Sequence, residues 1–392
     1  MSGERLPAEW LVAGVAFVLG AGTCAAWRWD EAASPVDAET TGVAEGPPGP
    51  ASVVTAGAAT AEVTAATFTP PRRAPPAARA ASGPPRFAET IDVSSFLRGN
   101  LHTHSNRSDG DSPPAEVYAH YRDHGYAFVA LTDHNTRTDP AEHRALARRG
   151  FVMIPGEEVT TTGAGKPVHV NALCTKTTIG GGTFATVREA LSWAVGRVKA
   201  QGAIALVNHP NFDWALSADD VPSARGAELL EIWSGHPYVH SEGDLLRPSH
   251  EAIWTRMLDE GETFAGVAVD DMHHLARDAK EPAVRPLRGW VEVFGAEATE
   301  EAICDGLRRG RLYASSGPKL ARLRVKDATF AVTVSAPARV EVLGAEGAVL
   351  ADVKAGAGKE VRYELRGGER HVRARITGQD GKRAWTQAYR VE

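Results

Sequence analysis

The sequence predicts an α/β protein: a distorted TIM-like (β/α)7 barrel, followed by a small C-terminal β-sandwich and preceded by an apolar N-terminal segment and a disordered linker. Three patterns carry this prediction. Apolar strand-like runs alternate with amphipathic helix-like runs over residues 91–318, the period changes to two over residues 319–392, and a proline- and alanine-rich stretch precedes residue 91. A chain of 392 residues also exceeds one small core, so several units are expected.

The first unit is residues 1–30. "WLVAGVAFVLGAGTCAAW", residues 10–27, carries no charge and is bracketed by Trp10 and Trp27, the pattern of a signal peptide or membrane anchor. Residues 31–90 hold 17 alanines and 10 prolines with no tyrosine or tryptophan, too little apolar bulk for a core, and read as a disordered spacer. Together they place the rest of the chain outside the cytoplasm, exported or anchored in a membrane. Cys24, Cys174 and Cys304 are odd in number and widely spaced, which argues for buried thiols rather than a disulfide framework or a zinc ribbon. The net charge of −6 gives no general attraction to nucleic acid.

The barrel elements follow in order. "FLRGNLHTH" reads as a strand, "PPAEVYAHYRDHG" as a helix with prolines at its start and glycine at its end, and "YAFVALTDHN" as the second strand. "GFVMIPGEEV" and "KPVHVNALC" follow as strands, then a helix through "TFATVREALSWAVGRVKAQG" and the strand "AIALVNHPN". "GAELLEIWSG", the helix "SHEAIWTRMLDEG" and the strand "TFAGVAVDDMHH" complete the rhythm. "IGGGT", residues 179–183, reads as a turn, since no phosphate-cradling motif surrounds it.

Potential metal ligands fall at the carboxyl ends of these strands: His102 and His104, then Asp109 in the following loop, His134, Glu158, His169, His209, and Asp271 with His273. In a barrel of parallel strands that rim is where active sites are built. Period two along a strand gives His102 and His104 one direction, and likewise Asp271 and His273. Nine donors are too many for one ion, so two or three bridged ions are expected. "GEE" also offers Glu157, and "VDDMHH" offers Asp270 with His274. His236 in "SGHPY" is a weaker candidate, while His120, His124, His143 and His371 read as surface or structural.

"LHTHSNRSDG", "LTDHN", "PGEEV" with "HVNAL" and "VNHP", and "VDDMH" match in order the motifs of the polymerase and histidinol phosphatase (PHP) superfamily, and residues 95–318, with the later "GRLYASSGP", resemble it. Within it the chain looks most like the carbaryl-hydrolase-like branch of metal-dependent phosphoesterases with a C-terminal β-domain. The resemblance implies a trinuclear centre of Mn2+, Zn2+ or Fe2+. It assigns His102, His104, Glu158 and Asp271 to one ion; Glu158 bridges to a second held by His169 and His209, and Asp109, His134 and His273 hold the third. The family patterns Gly-x-Glu and Asp-x-His select Glu158, Asp271 and His273, which are also the expected catalytic residues. Adjacent ions lower the pKa of a shared water, supplying a hydroxide nucleophile without a serine or cysteine. Arg107, Arg285 and Arg288 are candidate substrate contacts, and Asn171 and Asn208 candidate orienting groups.

In the tail, "TFAVTVSA", "EVRYELR" and "HVRARITGQDGKRAWTQAYRV" alternate in twos, and Asp380-Gly381 marks a hairpin. The expected activity is hydrolysis of small phosphate mono- or diesters. The alternatives are a carbamate, ester or amide hydrolase, or a non-catalytic module binding envelope material. Partners are a small-molecule substrate and, through residues 1–30, a membrane; no sequence-specific nucleic-acid binding is expected.

Overall fold

The computed structural model describes residues 84–275, 284–295 and 297–392. The apolar segment 1–30 and most of the linker 31–90 lie outside the described residues. Among the described residues no helix is long and apolar enough to cross a membrane.

The fold is mixed α/β, with one large sheet and four α-helices among the described residues. Strands β1 (Phe96–Asn100), β2 (Phe128–Leu131) and β3 (Val152–Gly163) pair in parallel. Next comes β4 (Lys166–Leu173), antiparallel to both β3 and β5 (Ile204–Val207). The parallel order resumes through β6 (Leu229–Ser234) and β7 (Ala265–Val269). At the rim Thr103 bridges Met272, His104 N donates to Met272 O at 2.8 Å and Asp271 N to His102 O at 2.9 Å, joining the segment after β7 to the one after β1.

The all-parallel expectation therefore fails at β4, for a local reason. Gly163 and Lys166 face each other across the two-residue turn Ala164–Gly165, both at positive φ (52° and 75°), which folds the chain back at once as a hairpin. Glu158 accordingly sits inside a long strand, and His169 lies in the first half of a strand running the opposite way, not at a strand end. The reversal still brings both to one rim.

Helix α1 (Pro114–Asp123) begins on proline and buries Val117, Tyr118 and Tyr121. Helix α2 (Val187–Ala200) opens with a capping box between Thr186 and Glu189 and buries Ala190, Leu191, Ala194, Val195 and Val198, one stripe at helical spacing. At roughly 1.5–3 kcal/mol for each fully buried Val or Leu, that stripe outweighs the cap. Helix α3 (His250–Asp259) is capped by Ser249 and buries Ile253, Trp254 and Met257.

Beyond β7 the sheet continues in elements the alternation did not mark. Strand β8 (Trp290–Phe294) pairs antiparallel with β1, helix α4 (Glu300–Arg308) follows, and β9 (Leu312–Ser315) pairs with β8. Then come β10 (Leu320–Lys326), β11 (Thr329–Val334), β12 (Ala338–Leu343), β13 (Val349–Ala355), β14 (Glu360–Glu364), β15 (His371–Gly378) and β16 (Arg383–Thr386). The short strand Ile91–Val93 joins β10, β11 and β14 in one sheet, while β13, β12, β15 and β16 extend the large sheet past β9. Val325, Phe330, Val332, Val342, Val372 and Ile376 form a core shared by strands of both sheets.

Cys174 and Cys304, expected as free thiols, form a disulfide across 130 residues of sequence. Spacing gave no sign of it, because the packing of α4 beside the end of β4 creates the contact. Cys24 lies outside the described residues.

Candidate metal centre

The nine residues singled out by sequence come together in one cluster. Their donor atoms form four overlapping groups, each within 4.8 Å: His102, His104 and Glu158; His102, His209 and Asp271; His134, Glu158 and His169; and His104, Asp109, His134 and His273. Most of these side chains are buried, with His134 and Asp109 the most open, each 27 % exposed.

The tightest contacts lie around the His102–His104 pair. His102 Nε2 and His104 Nε2 lie 3.1 Å apart, each 3.2 Å from Asp271 Oδ1 and 3.3 Å from Glu158 Oε2. Either carboxylate oxygen closes a triangle with the two nitrogens whose centre is about 2 Å from each corner, near the bond length of a divalent transition ion to nitrogen and oxygen, while Asp271 and Glu158 fall in different donor groups. The donor chemistry agrees: imidazole nitrogens and carboxylate oxygens face one another, and Glu158 Oε2 is buried without a hydrogen-bond partner. These residues fit divalent cations.

Around that set, Glu158 Oε1 lies 2.9 Å from His169 Nδ1 and 3.5 Å from His209 Nε2, and Glu158 Oε2 lies 3.1 Å from His134 Nδ1. Asp109 spans three imidazoles, at 3.4 Å from His104 Nδ1, 3.4 Å from His134 Nε2 and 3.3 Å from His273 Nε2. Burial alone would raise the Glu158 carboxyl, but His134, His102 and His169 hold it well below the usual range. Asp271 is likewise lowered, against burial, by His102 and His236. Burial lowers His134, yet Glu158 and Asp109 carry it to about 9, whereas in His169 burial dominates and lowers it to about 4.

The alternative residues of each register are hydrogen-bonded elsewhere. Asp270 accepts the amides of Leu287 (2.8 Å), Arg288 (2.6 Å) and Gly289 (2.8 Å) and the Tyr121 hydroxyl (2.7 Å), so it organises a loop. His274 Nδ1 accepts the Val284 amide at 3.1 Å. Glu157 accepts the amides of Ile179 and Gly180, each at 2.7 Å, and thereby closes the glycine-rich turn. Asp271 has φ 50°, a left-handed conformation rare outside glycine and typical of strained functional positions.

Supporting partners include one the sequence reading missed. Glu231 accepts from His102 Nδ1 at 2.6 Å and from the His209 amide at 2.9 Å, fixing two donors at once. A lone carboxylate in the apolar strand "LLEIWS" was the available signal. Asn208 donates to Glu158 Oε1 at 2.7 Å and to Asn171 Oδ1 at 2.9 Å. The ring of His236 stands 5.4 Å from that of His273.

Of the candidate substrate arginines, Arg107 pairs with Glu142, and Arg288 donates to Gly235 O at 3.2 Å. Arg285 follows the undescribed residues 276–283 and has interactions of its own.

No family model matches the chain. A 3′,5′-nucleoside bisphosphate phosphatase of Chromobacterium violaceum is 39% identical over 75 residues, 19% of this chain and 26% of the relative, so the match spans about a quarter of that protein. A two-domain protein of Bacteroides vulgatus containing a predicted PHP-like metal-dependent phosphoesterase aligns over 77% of this chain and 96% of its own, at 16% identity and a TM-score of 0.41. An amidohydrolase of Chromobacterium violaceum with bound sulfate and no metal aligns over 48% of this chain and 94% of its own, at 20% identity and a TM-score of 0.35. These likenesses are coarse.

Proposed function

We propose that the chain is a metal-dependent phosphoesterase that hydrolyses small phosphate mono- or diesters at the barrel rim. The observation that supports this reading best is that six histidines and three carboxylates bring their donor atoms together in four overlapping groups, each within 4.8 Å.

In this reading His102, His104, Glu158 and Asp271 hold one ion, while His134, His169, His209, Asp109 and His273 complete two further seats around the shared Glu158 and His104. Divalent ions bound there would lower the pKa of water and neutralise phosphate oxygens. The chain's own contribution is positional. Glu158 offers one oxygen to the His102–His104 side and the other to the His169 side, with Asn208 fixing its plane. Glu231 fixes the His102 ring, so the lone pair of its other nitrogen is aimed before any ion arrives. Glu158, Asp271 and His273 are the proposed catalytic residues, and Arg107, Arg285 and Arg288 the proposed substrate contacts.

We further propose an extracytoplasmic location, with residues 1–30 as the leader or anchor. The Cys174–Cys304 disulfide supports it, since such bonds persist in oxidising compartments. Reporter fusions on either side of Trp27 test the topology.

The deciding experiment measures metal content of the purified protein together with turnover of a phosphomonoester, a phosphodiester and an aryl carbamate. About two to three ions per chain and turnover of a phosphate ester are expected. Carbamate turnover alone would transfer the reading to carbonyl chemistry. Fewer than about one ion after manganese or zinc reconstitution would overturn it in favour of a binding module.

A further inference from the structure

A second cluster of buried charge lies away from the metal rim, where α3 meets the C-terminal strands. In "HVRARIT" of β15, Val372, Ala374 and Ile376 turn into the sandwich core, so period two turns Arg373 and Arg375 the other way, towards α3. Arg373 and Arg375, with Arg383 of β16 and Glu251 of α3, line a cavity of about 640 Å³.

Five arginines and four carboxylates, Glu260 and Glu346 among them, line the cavity, a net excess of one positive charge in its wall, and Arg256 is met by Glu260 and Asp219. Glu251 is the shared acceptor of three guanidinium groups, at 2.9 Å from Arg373, 3.5 Å from Arg375 and 3.8 Å from Arg383. Arg375 is shared with Glu341, which also serves Arg339, and Arg383 reaches out to Glu242. Arg370, on the far side of the cavity, is matched by Asp259 and leaves no excess. Arg373 is 1 % exposed, and its Nε–H has no hydrogen-bond partner. Its two Nη atoms donate to Glu251 and Thr255, each at 2.9 Å, so a single buried N–H is left over, at the cost of its desolvation unless an acceptor meets it. Ser249, Glu251 and Ala252, the first turn of the ten-residue α3, line the same cavity and add the positive end of a helix dipole.

We propose that this cavity is a second, non-catalytic binding site for a small ligand bearing a phosphate-type oxyanion. Guanidinium forks suit tetrahedral oxyanions, and the volume leaves room for an organic group beyond the anion itself. Neither Glu158 nor any other rim donor takes part, so the site stands whether or not the rim hydrolyses phosphate esters.

The test titrates the chelator-treated full chain with inorganic phosphate and with glucose 6-phosphate, followed by calorimetry and by tryptophan fluorescence, because Trp254 and Trp385 lie 5.0 Å and 5.7 Å from the Arg373 and Arg383 guanidinium carbons. Saturable one-to-one binding is expected, tighter for the organic phosphate. Arg383→Gln and Arg375→Gln, whose side chains are 28 % and 29 % exposed, should each weaken it about tenfold while an unfolding scan shows the fold intact. Glu251→Gln, by removing the competing carboxylate, should tighten it, and Glu158→Gln should leave it unchanged. The proposal is overturned by no saturable binding below about 10 mM, by equal affinity in the folded arginine variants, or by loss of binding on Glu158→Gln.

Discussion

The molecule buries two polar clusters that differ in kind. At the rim, imidazole nitrogens and carboxylate oxygens crowd within 3.1–3.3 Å of one another. Where α3 meets β15, donor crowds donor: three guanidinium groups share Glu251. Asp270, by contrast, has its needs met within the chain by three amides and a hydroxyl. The rim gathers groups that a cation would share, while the α3 cluster pairs its guanidinium groups with carboxylates and leaves one buried N–H, that of Arg373 Nε, without an acceptor.

Glu158→Gln puts the largest strain on this contrast. Replacing the shared carboxylate should lower bound metal by at least one ion per chain and turnover by about a thousandfold or more, measured by elemental analysis and steady-state kinetics. An unchanged metal count would erase the distinction between the rim and an ordinary buried network. Arg373→Ala tests the other side: removing the most buried of the three guanidinium groups and its packing should cost about 3–5 kcal/mol in denaturant unfolding, although Arg375 and Arg383 still reach Glu251. The double change Arg373→Met with Glu251→Leu should recover much of that loss, since apolar packing then replaces the charges.

Glu231→Gln sharpens the comparison more gently. Without the carboxylate that orients His102, metal affinity should fall about 10–100-fold while stability changes little, read from competition with a chelator. Asp270→Asn should do the reverse, lowering stability by about 1–3 kcal/mol and leaving the metal count intact.

The effect of smallest slope, spread over several pH units, concerns His250, whose Nε2 accepts the Asn211 amide at 3.2 Å. Burial first, then His209, lowers its pKa to about 3. Below the unfolded value near 6.5 the unfolded chain binds the proton and the folded chain does not, so stability falls as pH drops from about 6.5 to about 3, by at most about 1.4 kcal/mol per pH unit from this residue. His250→Gln should flatten that part of the profile of unfolding free energy against pH.

The donors were legible because they are a polar minority at the ends of apolar strands, and the barrel's ten-element alternation was legible for the same reason. The choice of Glu158 over Glu157 and of Asp271 over Asp270 came instead from the resemblance, through its Gly-x-Glu and Asp-x-His patterns. The β3–β4 reversal was written in the two-residue turn Ala164–Gly165 and was overridden by the expectation of a parallel sheet. Strands β8 and β9 and helix α4 lay past the last motif, where alternation competes with a sheet shared by barrel and tail. Glu231 hid as one carboxylate in an apolar strand. The Cys174–Cys304 bond and the Glu251–Arg373 cluster depend on contacts 130 and 122 residues apart, which no local pattern encodes.

The β3–β4 hairpin gives the rim an external handle. Its tip, Ala164 and Gly165, is open to solvent, while the same two strands carry Glu158 and His169 inward on a continuous ladder of paired backbone. A fluorophore or a short peptide grafted at that tip would sit outside the chemistry yet ride on the strands that hold it. Filling and emptying of the ion seats would then be readable from outside the barrel.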